Sequence, residues 1–328
     1  MKVMLPIQKQ PKIFAAFRAG YETVSKHLYL VLFPVFLDLF LLFGFRITMV
    51  ELMQSSIQRF VLPPSASADT VASWEALKTQ SIEFFRYFSL TSFLRSFPVG
   101  IPSLFSVAAF ERNPLGEFRF IHLSQPGMVI MVTLAASLIG VFLAYLLYRL
   151  SARAIVSPTA QAESILERRS LVSWLLIPIV SVLLIFLVFL PAVLVISIIG
   201  TLLPIFVTIG YFLLTVTTIT LLIPVIFTPH LVVLEKMTFP QALLTSFRTV
   251  RLTNAKTTSF LLLAILANYL TNMLWRIPSD DSWMLMVGIF GHAIISIVTL
   301  AASFHYIYDA RKIVREFTEN QMSETLLA

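Results

Sequence analysis

The sequence predicts an all-α integral membrane protein. Its six transmembrane helices form three units, each an interfacial elbow helix plus a helical hairpin, with an extracytoplasmic helical insertion between the first two spans. Three observations carry this prediction. Hydrophobic residues make up 58% of the 328 and charged residues only 12%, at a mean hydropathy of +0.87. Soluble domains carry about 25% charged residues, so this chain lacks the polar surface to dissolve. Residues 170–234 contain no Asp, Glu, Lys or Arg. Finally, sixteen of the 24 Lys and Arg residues fall in alternate inter-span segments, the bias that cytoplasmic loops show.

A helix needs about 20 apolar residues to cross about 30 Å of hydrocarbon. On that measure the spans fall at about 28–45, 128–150, 171–197, 203–229, 259–275 and 283–307. The uncharged run allows two generous passes or three tight ones. Two passes, turning near Gly200 and Thr201 before Pro204, keep the basic segments on one side: Lys2 to Lys26, Arg149 to Arg169, Lys236 to Lys256 and Arg311 to Arg315. Both termini are therefore expected in the cytoplasm, and the chain in the cytoplasmic (inner) membrane as a multi-pass protein. Trp174, Trp275 and Trp283 fall at the predicted span ends, where amphipathic rings favour the headgroup layer. The first span has no small-x-small site after it and reads as a retained anchor rather than a cleaved signal peptide.

The formal net charge of +7 is concentrated on the inner side. It reads as topology plus attraction to anionic lipid headgroups, at about 1 kcal/mol per basic residue near the surface, and not as a nucleic-acid footprint. Short amphipathic segments precede spans one, three and five, at residues 14–21, 160–167 and 240–248. Each suits a helix lying in the headgroup plane, which is the basis for three similar units.

The insertion, residues 46–126, is expected to begin as a helical continuation of span one, turn at Pro63 and Pro64, and resume as an amphipathic helix from Thr70 to Phe88. Aromatics then crowd together. Phe84, Phe85, Phe88, Phe93, Phe97 and Phe105 form either a lid over an outward-facing, lipid-accessible groove or a face buried against the outer rim of the bundle. The uncharged piece 98–110 is too short to span and is expected to dip into the interface or pack on the bundle. The insertion is also the expected contact for a protein partner.

Asp38 is the most informative span residue, because a carboxylate at mid-helix costs about 2.5–3.5 kcal/mol on insertion scales. Counting from the inner ends places it about 15 Å deep, level with Asn268 and one turn from Asn272. His292 lies farther out. These four residues form a candidate midplane polar cluster. One reading is a proton or cation site, because carboxylate and imidazole exchange protons near neutral pH. The other is interhelical hydrogen bonding, worth about 0.6 kcal/mol per bond.

No cysteine is present, which excludes disulfides, thiolate nucleophiles and Cys metal sites. The sequence has no HExxH, phosphate-cradling glycine loop or nucleophile elbow. No enzyme activity, cofactor or metal is therefore expected. Two functions stay open: a non-catalytic scaffold or accessory subunit, and a carrier of a lipid-like or small apolar substrate that uses Asp38.

The elbow Ala242-Leu243-Leu244-Thr245-Ser246-Phe247-Arg248-Thr249-Val250-Arg251-Leu252-Thr253-Asn254 and the exit Tyr306-Ile307-Tyr308-Asp309-Ala310-Arg311 carry a resemblance. They are similar to segments of the membrane domain attached to bacterial glycerophosphodiester phosphodiesterases, and of uncharacterised bacterial six-span membrane proteins. The resemblance covers mainly residues 230–315. The spans and insertion leave no room for a catalytic barrel, so the resemblance implies an architecture and no activity.

Overall fold

The computed structural model describes residues 10–60, 62–63, 65, 67–95, 99–105, 112–155, 167–203 and 205–327. Among them the protein is all-α apart from short strands, and built of long apolar helices. Five are long and apolar enough to cross a membrane: α5 (Pro126–Ile155), α6 (Arg168–Leu202), α7 (Ile205–Leu234), α9 (Asn254–Trp275) and α10 (Leu285–Leu327). A bent pair qualifies only as a whole. In it, α1 (Ile13–Lys26) is followed, across a 94° break, by a 3-10 turn at Leu28–Val31 and by α2 (Leu32–Phe43). The bend falls before Leu28, and within the expected span 28–45 the helical arm runs from Leu28 to Phe43 with its first turn 3-10. Two helices, α6 and α7, fill the uncharged run, with the helix breaking at Leu203 rather than at Gly200. The elbow expected at 160–167 lies outside the described residues except for Glu167.

The chain divides into two compact units. The first comprises Met1–Leu30, Tyr145–Ala267 and Ile297–Ala328. Its core is aromatic. Trp174 is buried between Tyr145 and Tyr148, with ring centroids 5.7 and 4.9 Å away. Tyr148 in turn meets His230 and Phe304. Trp174 is thus a core residue and not a headgroup anchor, since an indole serves either role if its apolar body is covered.

Helix α1 buries Ala16, Gly20, Thr23 and Val24, the i, i+4, i+7, i+8 stripe of an amphipathic helix, and leaves Phe14 and Tyr21 exposed. A Cβ on Gly20 would lie 2.6 Å from the Ala302 backbone nitrogen in α10, so only glycine permits this crossing. Three residues on, the Thr23 hydroxyl meets His305 Nε2 at 2.8 Å. His305 is therefore tied into the packing of α1 against α10.

The other elbow, α8 (Phe239–Leu252), begins with a capping box between Thr238 and Gln241 and with Pro240 in its first turn, which together fix a helix start. It buries Phe239, Ala242, Ser246, Thr249 and Val250 and turns Arg248 and Arg251 outward. Only Thr253 separates it from α9. Hydroxyls then run from Thr253 through Thr257 to Tyr306, at 2.9 and 3.0 Å, while Phe260 stacks on the Tyr306 ring at 4.4 Å.

The second unit comprises Val31–Ala144 and Asn268–Ser296 and contains the insertion. The insertion does not begin as a continuation of a helix. Helix α2 ends at Phe43, and β1 (Arg46–Thr48) pairs in parallel with β4 (Phe120–His122), Arg46 opposite Phe120. Only then come α3 (Val50–Arg59) and α4 (Ala68–Tyr87). Between α4 and β4, the short strands β2 (Arg112–Asn113) and β3 (Gly116–Glu117) form a hairpin. Gly116 adopts φ of 112° there, a conformation that side chains rarely permit. The Asn113 amide caps the Leu42 carbonyl at 3.0 Å, satisfying one of the acceptors that every helix end leaves open.

Arg46 is 4% exposed and lies 3.6 Å above the Phe118 ring, within cation–π range. Burial pushes its guanidinium down to about 10, opposed by the charge of Asp280. It therefore stays charged at neutral pH.

Candidate functional site

The site is built on α2, where Pro34, Leu37, Asp38, Leu41 and Leu42 share one buried face at helical spacing. Asp38 sits in the middle of that face and is fully buried. Its side chain meets the insertion. Ser103 donates its hydroxyl to Oδ1 at 2.5 Å. The Leu104 amide bridges both oxygens at 3.0 Å, and the Phe105 amide reaches Oδ1 at 3.5 Å. The Phe105 amide also donates to Ser103 Oγ at 3.2 Å. Consecutive N–H groups turned toward one anion make a backbone nest, and hydrogen bonds to a charged acceptor are about twice as strong as neutral ones. The charge of Arg95 adds an attraction from the same insertion.

Of the four residues expected to cluster, Asp38 takes hydrogen bonds from Ser103, Leu104 and Phe105, while Asn268, Asn272 and His292 engage across α9 and α10. There, His292 Nδ1 meets Asn272 Oδ1 at 2.7 Å, and Ser296 donates to Asn268 Oδ1 at 3.1 Å. On each helix the two residues, Asn268 with Asn272 and His292 with Ser296, are spaced i, i+4, so a two-rung ladder joins facing helices. The charge of Arg95 acts on both Asp38 and His292. Ser103 gave no sequence signal beyond its place in an uncharged loop, and depth counting compares only spans with spans.

The expected lid divides as well. Phe84, Phe85, Phe88 and Phe93 form one aromatic cluster, with Phe84 stacked on Phe88 at 5.3 Å and Phe93 edge-on to Phe88 at 6.0 Å. Phe84 and Phe93 are exposed. Phe105 is not part of it. It is buried beneath the Asp38 loop, because Val99, Ile101, Leu104 and Phe105 all turn inward. Phe97 lies outside the described residues. Among the described residues no group of three or more His, Cys, Asp or Glu side chains could hold a metal ion.

The chain matches no family model, no curated protein and no solved structure. Chemistry must therefore be argued from the geometry itself. What the geometry can do around Asp38 is hold. The carboxylate's acceptor sites face donors of the loop, and its hydrogen bonds join α2 to a segment 65 positions downstream.

In the first unit, sequence reasoning overlooked His230. It is buried in α7, with Nδ1 on the Ile226 carbonyl at 3.1 Å and Nε2 on Ser303 Oγ at 2.6 Å. Its signal was the one imidazole in a run without charges. Arg149, 4% exposed, was counted only as a basic loop residue. It donates to the Val233 carbonyl at 2.9 Å and lies 3.6 Å from Glu167, so it braces α5 against α7.

Proposed function

We propose that the protein is a non-catalytic membrane component: a scaffold or accessory subunit with six spans, both termini in the cytoplasm, and an outer insertion that meets a partner protein. The observation that carries this reading is the saturation of Asp38. A carboxylate kept inside a span for proton or ion traffic faces a cavity or a mobile partner. Asp38 is instead buried under a loop that supplies its donors, which is the role of a fastener.

The partner surface we assign to α4. None of its 20 residues is buried, although Trp74 meets Phe60 and Phe84 stacks on Phe88, so most of the helix surface is left open to a partner. Glu75, Thr79, Gln80, Glu83, Phe84 and Tyr87 form one open face of α4. A photo-crosslinking residue at Thr79, in the full chain in its native membrane, tests this. One discrete protein adduct supports the reading, and adducts to lipid alone, or none, overturn it.

A carrier for a lipid-like or small apolar substrate is the second reading. The observation in its favour is the ladder of Asn268, Asn272, His292 and Ser296 within the spans. Its site would be that ladder and not Asp38. Reconstituted protein that moves a fluorescent lipid between leaflets, and loses the activity in His292→Gln, would support it.

A further inference from the structure

In the first unit, a groove of about 510 Å³ lies where α6 begins beside the start of α8. Its lining is amphipathic. Arg168, Arg169, Ser173 and Thr238 provide the polar part, and Val172, Leu176, Phe239 and Pro240 the apolar wall. We propose that this groove is a binding site for one anionic phospholipid, its phosphate held at the Arg168–Arg169 end and an acyl chain laid along α6. The leaflet rests on the orientation proposed above, but the chemistry does not.

Three observations converge on a phosphate. Arg168 and Arg169 are exposed, and among the described residues no ion pair or hydrogen bond engages either side chain. Among the described residues two acids are engaged elsewhere: Glu167 faces Arg149 at 3.6 Å, and Glu235 is held by Arg311 and Arg315. Helix α6 starts without a side-chain cap, so its first amides and the positive end of its dipole are open to an anion. Ser173 lines the same groove, where its hydroxyl can donate to a phosphate oxygen.

A further observation separates a lipid from a free phosphate ion. Val172, Leu176, Ile179 and Leu183 are exposed at 52%, 39%, 62% and 61%, and their spacing puts them on one face of α6. The apolar strip therefore starts inside the groove and continues along the helix, as an acyl chain would. Charge complementarity at one end and continuous apolar surface at the other fit one occupant.

The test uses the full-length protein in a neutral detergent, with native mass spectrometry of added dioleoyl phosphatidylglycerol, dioleoyl phosphatidylcholine and inorganic phosphate. The expected result is a saturable single phosphatidylglycerol adduct. Arg168→Gln with Arg169→Gln should weaken it about thirtyfold, from about 1 kcal/mol per basic residue, and Ser173→Ala about tenfold. The control pair Arg248→Gln with Arg251→Gln removes the same charge from exposed positions on α8 and should leave binding unchanged. Arg168→Lys with Arg169→Lys should restore most of it.

Equal weakening by the two Gln pairs would mean diffuse surface charge and overturn the site. Displacement by millimolar phosphate would make it an ion site and overturn the lipid, as would equal retention of phosphatidylcholine. None of these readouts involves α4, so failure here and failure of the accessory-subunit reading are separate results.

Discussion

Replacing Asp38 by Asn should release the loop at residues 103–105. Three donors point at the carboxylate: the Ser103 hydroxyl and the Leu104 and Phe105 amides. An Asn amide offers one acceptor oxygen and turns an NH2 toward the remaining donors. The loss of one charge-assisted hydrogen bond is worth about 1.5–3 kcal/mol. At about 2 kcal/mol the open fraction of the loop rises about thirtyfold, since each 1.4 kcal/mol is a factor of ten.

The absence of native cysteine supplies a clean assay. Ile101 is 2% exposed, so Ile101→Cys reports opening through its labelling rate with a soluble maleimide on detergent-purified protein. Where reclosing outpaces labelling, that rate follows the open population. The expected increase is about thirtyfold for Asp38→Asn and about tenfold for Ser103→Ala, which leaves both amides in place. An unchanged rate in Asp38→Asn, with an exposed Ser65→Cys control labelling normally, would refute the claim that the carboxylate fastens the loop.

Other outcomes follow from the packing. Gly20→Ala should lower thermal stability by about 1–3 kcal/mol, because the new methyl meets the backbone of α10; a melting temperature equal to wild type would show that the crossing is looser than described. Asn272→Ala should cost only about 0.6 kcal/mol if the ladder with His292 is interhelical glue, so a complete loss of a cellular phenotype with expression and melting intact would favour the carrier. Ser65→Cys should react with an impermeant reagent in intact cells, and reaction only after permeabilisation would reverse the proposed orientation.

How much of this was legible beforehand depended on the range of each signal. Composition and runs of apolar residues act locally, so the helical membrane class and the amphipathic segments at 14–21 and 240–248, now within α1 and α8, could be read directly. Asp38 was marked by its cost in a span, but its partner could not be, because Ser103 belongs to a loop that folds back. Strand β1 is three residues long and pairs with a segment 74 positions on, too short for an alternating pattern and too distant for a hairpin rule. The aromatics of 84–105 were correctly conspicuous but indistinct in role. Phe84 and Phe105 have the same side chain, and only the inward turn at residues 99–105 separates the exposed ring from the buried one.

The exposure of the apolar stretch of α6 has an implication for how this sequence can change. No residue in its most apolar 18-residue window is buried inside the protein, so in that stretch much of each side chain away from α7 meets no other part of the protein. Leu, Ile, Val and Phe are nearly interchangeable to a lipid tail, whereas a single charge is penalised by about 2.5–3.5 kcal/mol at mid-span. Mutation there is filtered for polarity and hardly for shape. At Gly20, Asp38 and Ser103 the filter is the reverse, acting on individual atoms. Distant descendants of this chain should therefore keep those three positions while the letters of α6 drift almost freely, and a search that weights the long apolar helix would overlook relatives that those three positions would reveal.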